Sequence, residues 1–255
     1  MTTYYAHRGA STMCPENTMA AFRQALREKA DGIEIDVQLS KDGEAVVIHD
    51  ETVDRTTNGT GAVKDLTVLE LKQLDAGSWY NQACKDETIP LLEEVLKWIA
   101  RTDLMLNIEL KTDREPYPGI EQVVIDAVKR HDLGERVVLS SFNLETLRRV
   151  REISSSASIA VLVWDNVDGI VKCARHLGAE AIHARPGFMH TAESLRAEAA
   201  GLPIRLYTVN EPEDLQGIAP GFVDAVFTDS PARLRKALGD TAGTEVSVSF
   251  MQNIP

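Results

Sequence analysis

The sequence is short of several features, and each shortage removes a class of protein. Cysteine occurs only at Cys14, Cys84 and Cys173. An odd, widely spaced, unpatterned set implies neither a disulfide framework nor a zinc site, and there is no His-Glu-x-x-His pattern. No run approaches the roughly 20 apolar residues of a membrane-spanning helix. Met1 leads almost directly into the strand-like Tyr4-Tyr5-Ala6, without a basic region and apolar core, so no signal peptide is read and a reduced cytoplasm is the expected compartment. Basic residues number 27 against 39 acidic, and the net charge of −12 argues against nucleic acid or an anionic membrane surface as main partner. A Gly-rich dinucleotide or phosphate loop after the first strand is also missing, which weakens the case for a doubly wound open sheet.

What is present centres on residues 34–50, Glu-Ile-Asp-Val-Gln-Leu-Ser-Lys-Asp-Gly-Glu-Ala-Val-Val-Ile-His-Asp. Two apolar runs separated by Lys41-Asp42-Gly43 predict a β-hairpin. A two-residue loop sets Asp36 opposite His49; a three-residue loop sets Ile35 there instead. In both registers the histidine falls within one residue of two acids. Glu34 and Asp36 lie two apart and share one face of their strand. Burying two carboxylates beside a histidine is costly unless a cation compensates them.

Around this hairpin the chain alternates. A strand over residues 3–7 and a helix over residues 18–30, with Asn17 at its N-cap, come before it. Residues 51–88 are polar and glycine-punctuated, with one short helical piece over residues 68–74, and read as an insertion. From Pro90 the pattern predicts helix 91–100, strand 104–110, helix 120–131, strand 137–140, helix 144–153 and strand 159–163. It continues with helix 167–177, strand 181–183, helix 192–200, strand 204–209, strand 225–228 and helix 232–238. The strand over 44–49 must return antiparallel, because so short a turn cannot join parallel neighbours. That leaves eight parallel strands, the number that closes a TIM-type (β/α)8 barrel. The expected organisation is one catalytic barrel over 1–240 that includes the insertion, and a C-terminal tail over 241–255, either an edge strand or disordered.

In such barrels chemistry sits at the C-terminal ends of the strands. Those ends carry His7-Arg8, Glu34 and Asp36, Glu109 and Lys111, Ser140-Ser141, Trp164, His183, Tyr207 with Asn210, and Thr228-Asp229. Three carboxylates without thiolates suit a hard cation, Mg²⁺ or Ca²⁺. Histidines left unmetalled are free for proton transfer, and Arg8 and Lys111 suit an anionic ligand. Together these groups describe phosphoryl transfer.

The same residues carry a resemblance. His7-Arg8-Gly9, Pro15-Glu16-Asn17-Thr18, Glu34-x-Asp36, Lys41-Asp42-Gly43 and His49-Asp50 resemble the glycerophosphodiester phosphodiesterase family. The likeness continues through Asp54 to Gly61, Leu74 to Trp79, Ile89-Pro90, Asn107 to Lys111, Tyr207 to Asn210 and Phe227 to Pro231. It implies a TIM-type barrel with a small insertion and one divalent cation on Glu34, Asp36 and Glu109. It also implies an acid/base pair of His7 and His49, with Arg8 and Lys111 on the substrate phosphate. Tyr207 stands on the pocket wall where tryptophan is frequent, and His183-Ala184-Arg185 matches no family motif. The implied substrates are small glycerophosphodiesters such as glycerophosphocholine and glycerophosphoethanolamine, cleaved to sn-glycerol 3-phosphate and an alcohol through a cyclic phosphate. Chain order suggests His7 as first base and His49 as first acid, with direct attack by a metal-bound water as the competing route. A lysophospholipase D using the same residues, and a non-catalytic phosphodiester-binding barrel, are the alternatives. No stable membrane association is expected, and the chain is read as a monomer or homodimer.

Other residues have plainer readings. Glu16 and Asn17 read as structural support, capping the first helix and compensating its first turn. Trp79 and Trp164 read as packing residues, and His131, His176 and His190 as surface residues.

Overall fold

The computed structural model describes residues 2–164, 168–218 and 221–239. In chain order these form β1 (Thr3–Ala6), α1 (Met19–Arg27), β2 (Gly32–Leu39), β3 (Ala45–Val47), α2 (Val68–Leu71) and α3 (Leu92–Ile99). There follow β4 (Met105–Leu110), α4 (Ile120–Arg130), β5 (Val137–Ser141), α5 (Leu144–Ile153), β6 (Ser158–Val163) and α6 (Ile170–Leu177). The chain goes on through β7 (Ala181–Ala184), α7 (Ala192–Ala199), β8 (Ile204–Leu206), β9 (Val223–Thr228) and α8 (Pro231–Ala237). Every parallel strand pairs with the next, and β1 pairs with both β2 and β9, so eight strands close into a TIM-type barrel. β3 lies outside the ring, antiparallel to β2. No helix among the described residues is long and apolar enough to cross a membrane.

Period-2 alternation positions the chemistry. On β2 the residues Ile33, Ile35 and Val37 join the main apolar core, and so do Leu106, Ile108 and Leu110 on β4. The opposite faces carry Glu34, Asp36 and Gln38, and Asn107, Glu109 and Lys111. The β2–β4 register sets Asp36 directly beside Glu109 and Glu34 beside Asn107, so two separate stretches of sequence bring three carboxylates to one spot. Below them Tyr5 stacks on Phe227 with centroids 5.1 Å apart, and buried Val138, Ala160 and Ala181 form another apolar cluster. The barrel is thus plugged by side chains, and the acids have a floor.

The hairpin takes the three-residue loop. Val37 faces Val47 and Leu39 faces Ala45, the Ser40 amide donates to Glu44 O at 2.9 Å, and Gly43 turns the chain with φ +82°. A loop of this length calls for a left-handed residue at its last position, which glycine supplies at no steric cost. Ile35, not Asp36, is therefore level with His49. The strand has ended by then, however, and Gln38 recaptures the departing chain. Its Nε2 donates to Ile48 O, His49 O and Asp50 O at 3.0, 2.9 and 2.6 Å, and Tyr117 Oη donates to its Oε1 at 2.7 Å.

Residues 51–88 contain α2 and two short 3-10 turns. They pack a second apolar cluster against the outer side of the hairpin, formed by Val46, Ile48, Val53, Val63, Leu71, Ala76 and Ile89. Two further expectations are corrected. The N-cap of α1 is Thr18, whose hydroxyl accepts from Ala21 N at 3.3 Å; Asn17 takes φ +55° and turns its side chain to Asp36 instead. Strand β8 ends at Leu206, because the chain beyond it bonds alternately to both neighbours, Tyr207 N to Ala184 O and Val209 N to Phe227 O, without a continuous ladder. The readings of Val167 as helical and of the 241–255 tail lie outside the described residues.

Candidate active site

At the C-terminal end of the barrel a cavity of about 350 Å³ is lined by His7, Arg8, His49, Glu109, Lys111, Phe142, Trp164, Arg185, Tyr207 and Asp214, among others. A larger hollow, about 870 Å³, opens between α4 and α5 near the starts of β5 and β6 and holds none of the predicted site residues.

The carboxylates lie at the base of the early-strand side. Ligand-capable atoms of Glu34, Asp36 and Glu109 all fall within 4.8 Å of one another. Arg8 N donates to Glu34 Oε2 at 2.9 Å, Asn17 Nδ2 donates to Asp36 Oδ2 at 2.8 Å, and Lys111 Nζ donates to Glu109 Oε1 at 2.9 Å. The Arg8 guanidinium approaches Asp36 at 3.4 Å. Burial works against ionisation of Asp36, but Arg8, His49 and Lys111 outweigh it and hold its carboxyl below the usual range. Burial pushes Glu109 up to about 7, with the charge of Asp36 adding to it. Burial also pushes Glu34 well above its ordinary value, helped by both neighbouring acids. Three acids against two cations leave surplus negative charge in a buried place, and the donors are all oxygen. The set therefore fits a hard divalent cation.

The two histidines are built alike. His7 follows β1, and its Nδ1 lies 2.7 Å from Asp229 Oδ1. Asp229 is fixed in turn by Asn210 Nδ2 at 2.7 Å and Ser11 Oγ at 3.0 Å. His49 Nδ1 lies 2.7 Å from Asp50 Oδ1, and Arg55 donates to both oxygens of Asp50, at 2.7 and 3.0 Å. A carboxylate on Nδ1 keeps the proton there and leaves Nε2 able to exchange a proton with a ligand. Burial pulls the His49 imidazolium down; Asp36 opposes this, while Arg8 and Lys111 add to it. Its Nε2 is 3.4 Å from Lys111 Nζ.

Glu16 does not compensate the first turn of α1, which has no acidic residue. It clamps two arginines instead, accepting from Arg8 at 2.9 Å and from both terminal nitrogens of Arg55 at 2.8 Å. Burial opposes its ionisation, and the hydrogen bonds and charges of Arg55 and Arg8 keep its carboxyl low. Glu16 and Asn17 thus bond to Arg8, Arg55 and Asp36, and neither caps α1.

A family profile described as the glycerophosphoryl diester phosphodiesterase family matches residues 7–233. The chain belongs to that family. A glycerophosphodiester phosphodiesterase of Caldanaerobacter subterraneus subsp. tengcongensis is 42% identical over 235 residues, 91% of this chain and 96% of the relative. One from Bacillus altitudinis is 41% identical over 239 residues, 92% and 98% of the two chains. Among solved structures, a phosphodiesterase of Oleispira antarctica in complex with the product sn-glycerol-3-phosphate superposes with a TM-score of 0.85 at 31% identity, covering 94% of this chain and 97% of that one. This chain is accordingly an enzyme, a glycerophosphodiester phosphodiesterase, and the non-catalytic alternative falls away.

In this phosphodiesterase the wall opposite the histidines comes from later strands, and sequence reading underrated it. Trp164 packs as expected, stacked on Phe142 with centroids 4.4 Å apart, but it is 49% exposed and does so on the wall of the cavity. Phe142 follows Ser140-Ser141 with no motif to mark it. Tyr207 lies on the wall as expected, its hydroxyl donating to Val163 O at 2.6 Å. His183 lies deeper, 1% exposed against Phe227, in a cavity of about 30 Å³ that also touches Glu34 and Glu109. Burial drives its charged form well out of reach. Asp229, Asp50 and Arg55 were visible as motif letters, but their work of orienting the histidines needs the fold to be seen.

Proposed function

We propose that this phosphodiesterase hydrolyses small glycerophosphodiesters, such as glycerophosphocholine and glycerophosphoethanolamine, to sn-glycerol 3-phosphate and a free alcohol by histidine acid/base catalysis with one divalent cation, Mg²⁺ or Ca²⁺. The observation that carries this reading is the symmetry of His7 and His49. Each is held at Nδ1 by a carboxylate at 2.7 Å, and both line the cavity that holds Glu109 and the cations Arg8 and Lys111. Product bound to the Oleispira relative supports the substrate class.

Glu34, Asp36 and Glu109 would hold the cation, which supplies charge neutralisation to the phosphate and to the attacking oxygen. Arg8 and Lys111 bind the phosphate oxygens and stabilise the charge that grows on them. The Nε2 of one ring takes the proton of the glycerol 2-hydroxyl as that oxygen bonds to phosphorus. The other ring delivers a proton to the departing alcohol oxygen as its bond to phosphorus breaks. A cyclic phosphate results, and water opens it with the two rings in exchanged roles, restoring both protonation states. His7 as first base and His49 as first acid is the order we assign. Asp229 and Asp50 orient the rings and stabilise each imidazolium as it forms.

The test is release of glycerol 3-phosphate from glycerophosphocholine with Mg²⁺ or Ca²⁺, before and after chelation. Chelator-sensitive release that falls on the order of 10²-fold or more in His7→Ala and His49→Ala is expected. Product formation that survives chelation, or either variant working at the normal rate, breaks the reading.

A further inference from the structure

Arg185 is unlike the other arginines at or near the barrel ends. Arg8 is paired with Glu16 and Asp36, Arg55 with Glu16 and Asp50, and Arg205 with Glu180 and Asp224. The contact of Arg185 among the described residues is the Trp164 ring, with the guanidinium carbon 4.8 Å from its centroid. Its backbone is well anchored. It is the first residue after β7, Pro186 opens a 3-10 turn behind it, and its carbonyl accepts from Phe188 N at 2.9 Å.

Phe142 stacks on the same indole at 4.4 Å and 13° between planes. Phe142 and Arg185 are thus both engaged on the one Trp164 indole. An indole that already carries a guanidinium is a poor seat for a second cation such as a quaternary ammonium, the usual way an aromatic site takes choline. A positive charge stands at the mouth in its place. Asp214 is the carboxylate on that wall, and its Oδ2 is engaged by Asn210 N and Glu211 N at 2.9 and 3.1 Å.

This inference rests on the cavity being the site of diester cleavage. The glycerol half must then lie deep, because its 2-hydroxyl attacks a phosphorus held above the buried acids. The departing alcohol points outward, where the exposed Trp164 and Arg185 stand. We propose that Arg185, set over the Trp164 ring, is a binding residue for the departing alcohol and selects headgroups that carry negative charge, such as a second phosphate or a carboxylate, over cationic ones such as choline. A guanidinium presents a planar fork of donors to phosphate or carboxylate oxygens, and contact with the Trp164 ring holds that fork at the cavity mouth before the substrate arrives.

The experiment measures kcat/KM for wild type, Arg185→Gln and Arg185→Glu on three substrates sharing the glycerophosphate half. These are glycerophosphocholine (cationic alcohol), glycerophosphoglycerol (neutral) and bis(glycerophospho)glycerol, whose departing alcohol carries a second phosphodiester. The ratio of the anionic to the cationic substrate is expected to fall about tenfold in Arg185→Gln and further in Arg185→Glu, a size suited to one partly exposed charge. The neutral substrate should shift by an intermediate amount. Raising the salt should shrink the wild-type ratio toward that of Arg185→Gln. Each ratio is taken within one protein preparation, so incomplete folding scales both rates and leaves the ratio intact. A ratio that stays within about twofold in both variants overturns the proposal. If wild type releases glycerol 3-phosphate from none of the three, the hydrolytic reading itself has failed and takes this inference with it.

Discussion

Asp229 ties the proposed chemistry to the stability of the fold through its bond to His7. Burial opposes its charge, yet the His7 ring, Asn210 and Ser11 hold it at about 2, below the ordinary 3.8. A folded value below the unfolded one means that its stabilisation is complete above about pH 4 and is lost as the pH falls through 2, an effect on the order of 2 kcal/mol. Asp229→Asn should therefore lose less stability than wild type between pH 5 and pH 2.5, which urea midpoints across that range would measure. The same substitution removes the anion that keeps the His7 proton on Nδ1. Turnover at neutral pH should drop roughly 10²- to 10⁴-fold, with a much smaller change in KM. A variant with normal kcat would show that His7 needs no orienting partner. Asp50 is held at about 2 chiefly by its hydrogen bonds to Arg55, so the His49 side is buttressed from the insertion and the His7 side from the last strand.

At the scale of elements, most strands and helices were legible because each carries a clean period. The apolar faces of β2 and β4 alternate without error, and α4 repeats apolar residues at Ile120, Val124 and Val128. The three acids could be placed together from strand ends alone. Misreadings arose where a side chain left its own element. Asn17 looks like a cap and instead reaches Asp36; Glu16 looks like first-turn charge and instead clamps Arg8 and Arg55. Nothing local in the sequence reports a contact 39 residues away. Trp164 and Phe142 stayed hidden because an aromatic at a strand end has the same letters whether it faces core or cavity. Gly9 illustrates the opposite case, a letter with one meaning. It has φ +82°, and a Cβ there would lie 2.7 Å from the carbonyl carbon and the Cβ of Ala21 in α1. Gly9→Ala should cost about 3 kcal/mol in a urea titration, from the strained φ and the overpacking together. Because it pries His7-Arg8 off α1, its kcat should fall even where the variant is fully folded. A midpoint equal to that of wild type would refute the close approach.

The whole molecule divides the work between two packed bodies and two halves of one rim. Early strands and the hairpin carry the histidines, the acids and the cations Arg8 and Lys111, while β5 to β8 lead into the aromatic and arginine wall. The insertion has its own apolar cluster, and it touches the chemistry through Arg55. Leu71→Ala in that cluster and Leu147→Ala in the main core each empty a fully packed site and should each cost about 2–5 kcal/mol. At a temperature where both remain folded, only Leu71→Ala should lower kcat, since only it loosens Arg55 and with it Asp50 and His49. Equal kcat values for the two variants would cut that link. The bond from His7 to Asp229 joins residues 222 apart in sequence, the end of β1 to the end of β9. Recovery of turnover during refolding should thus lag behind recovery of helical signal, because ring closure is the most non-local event in the chain. On the ribosome the same bond should act as a timer: a nascent chain can display the three clustered acids and both histidines and should still be inert until β9 has emerged and docked.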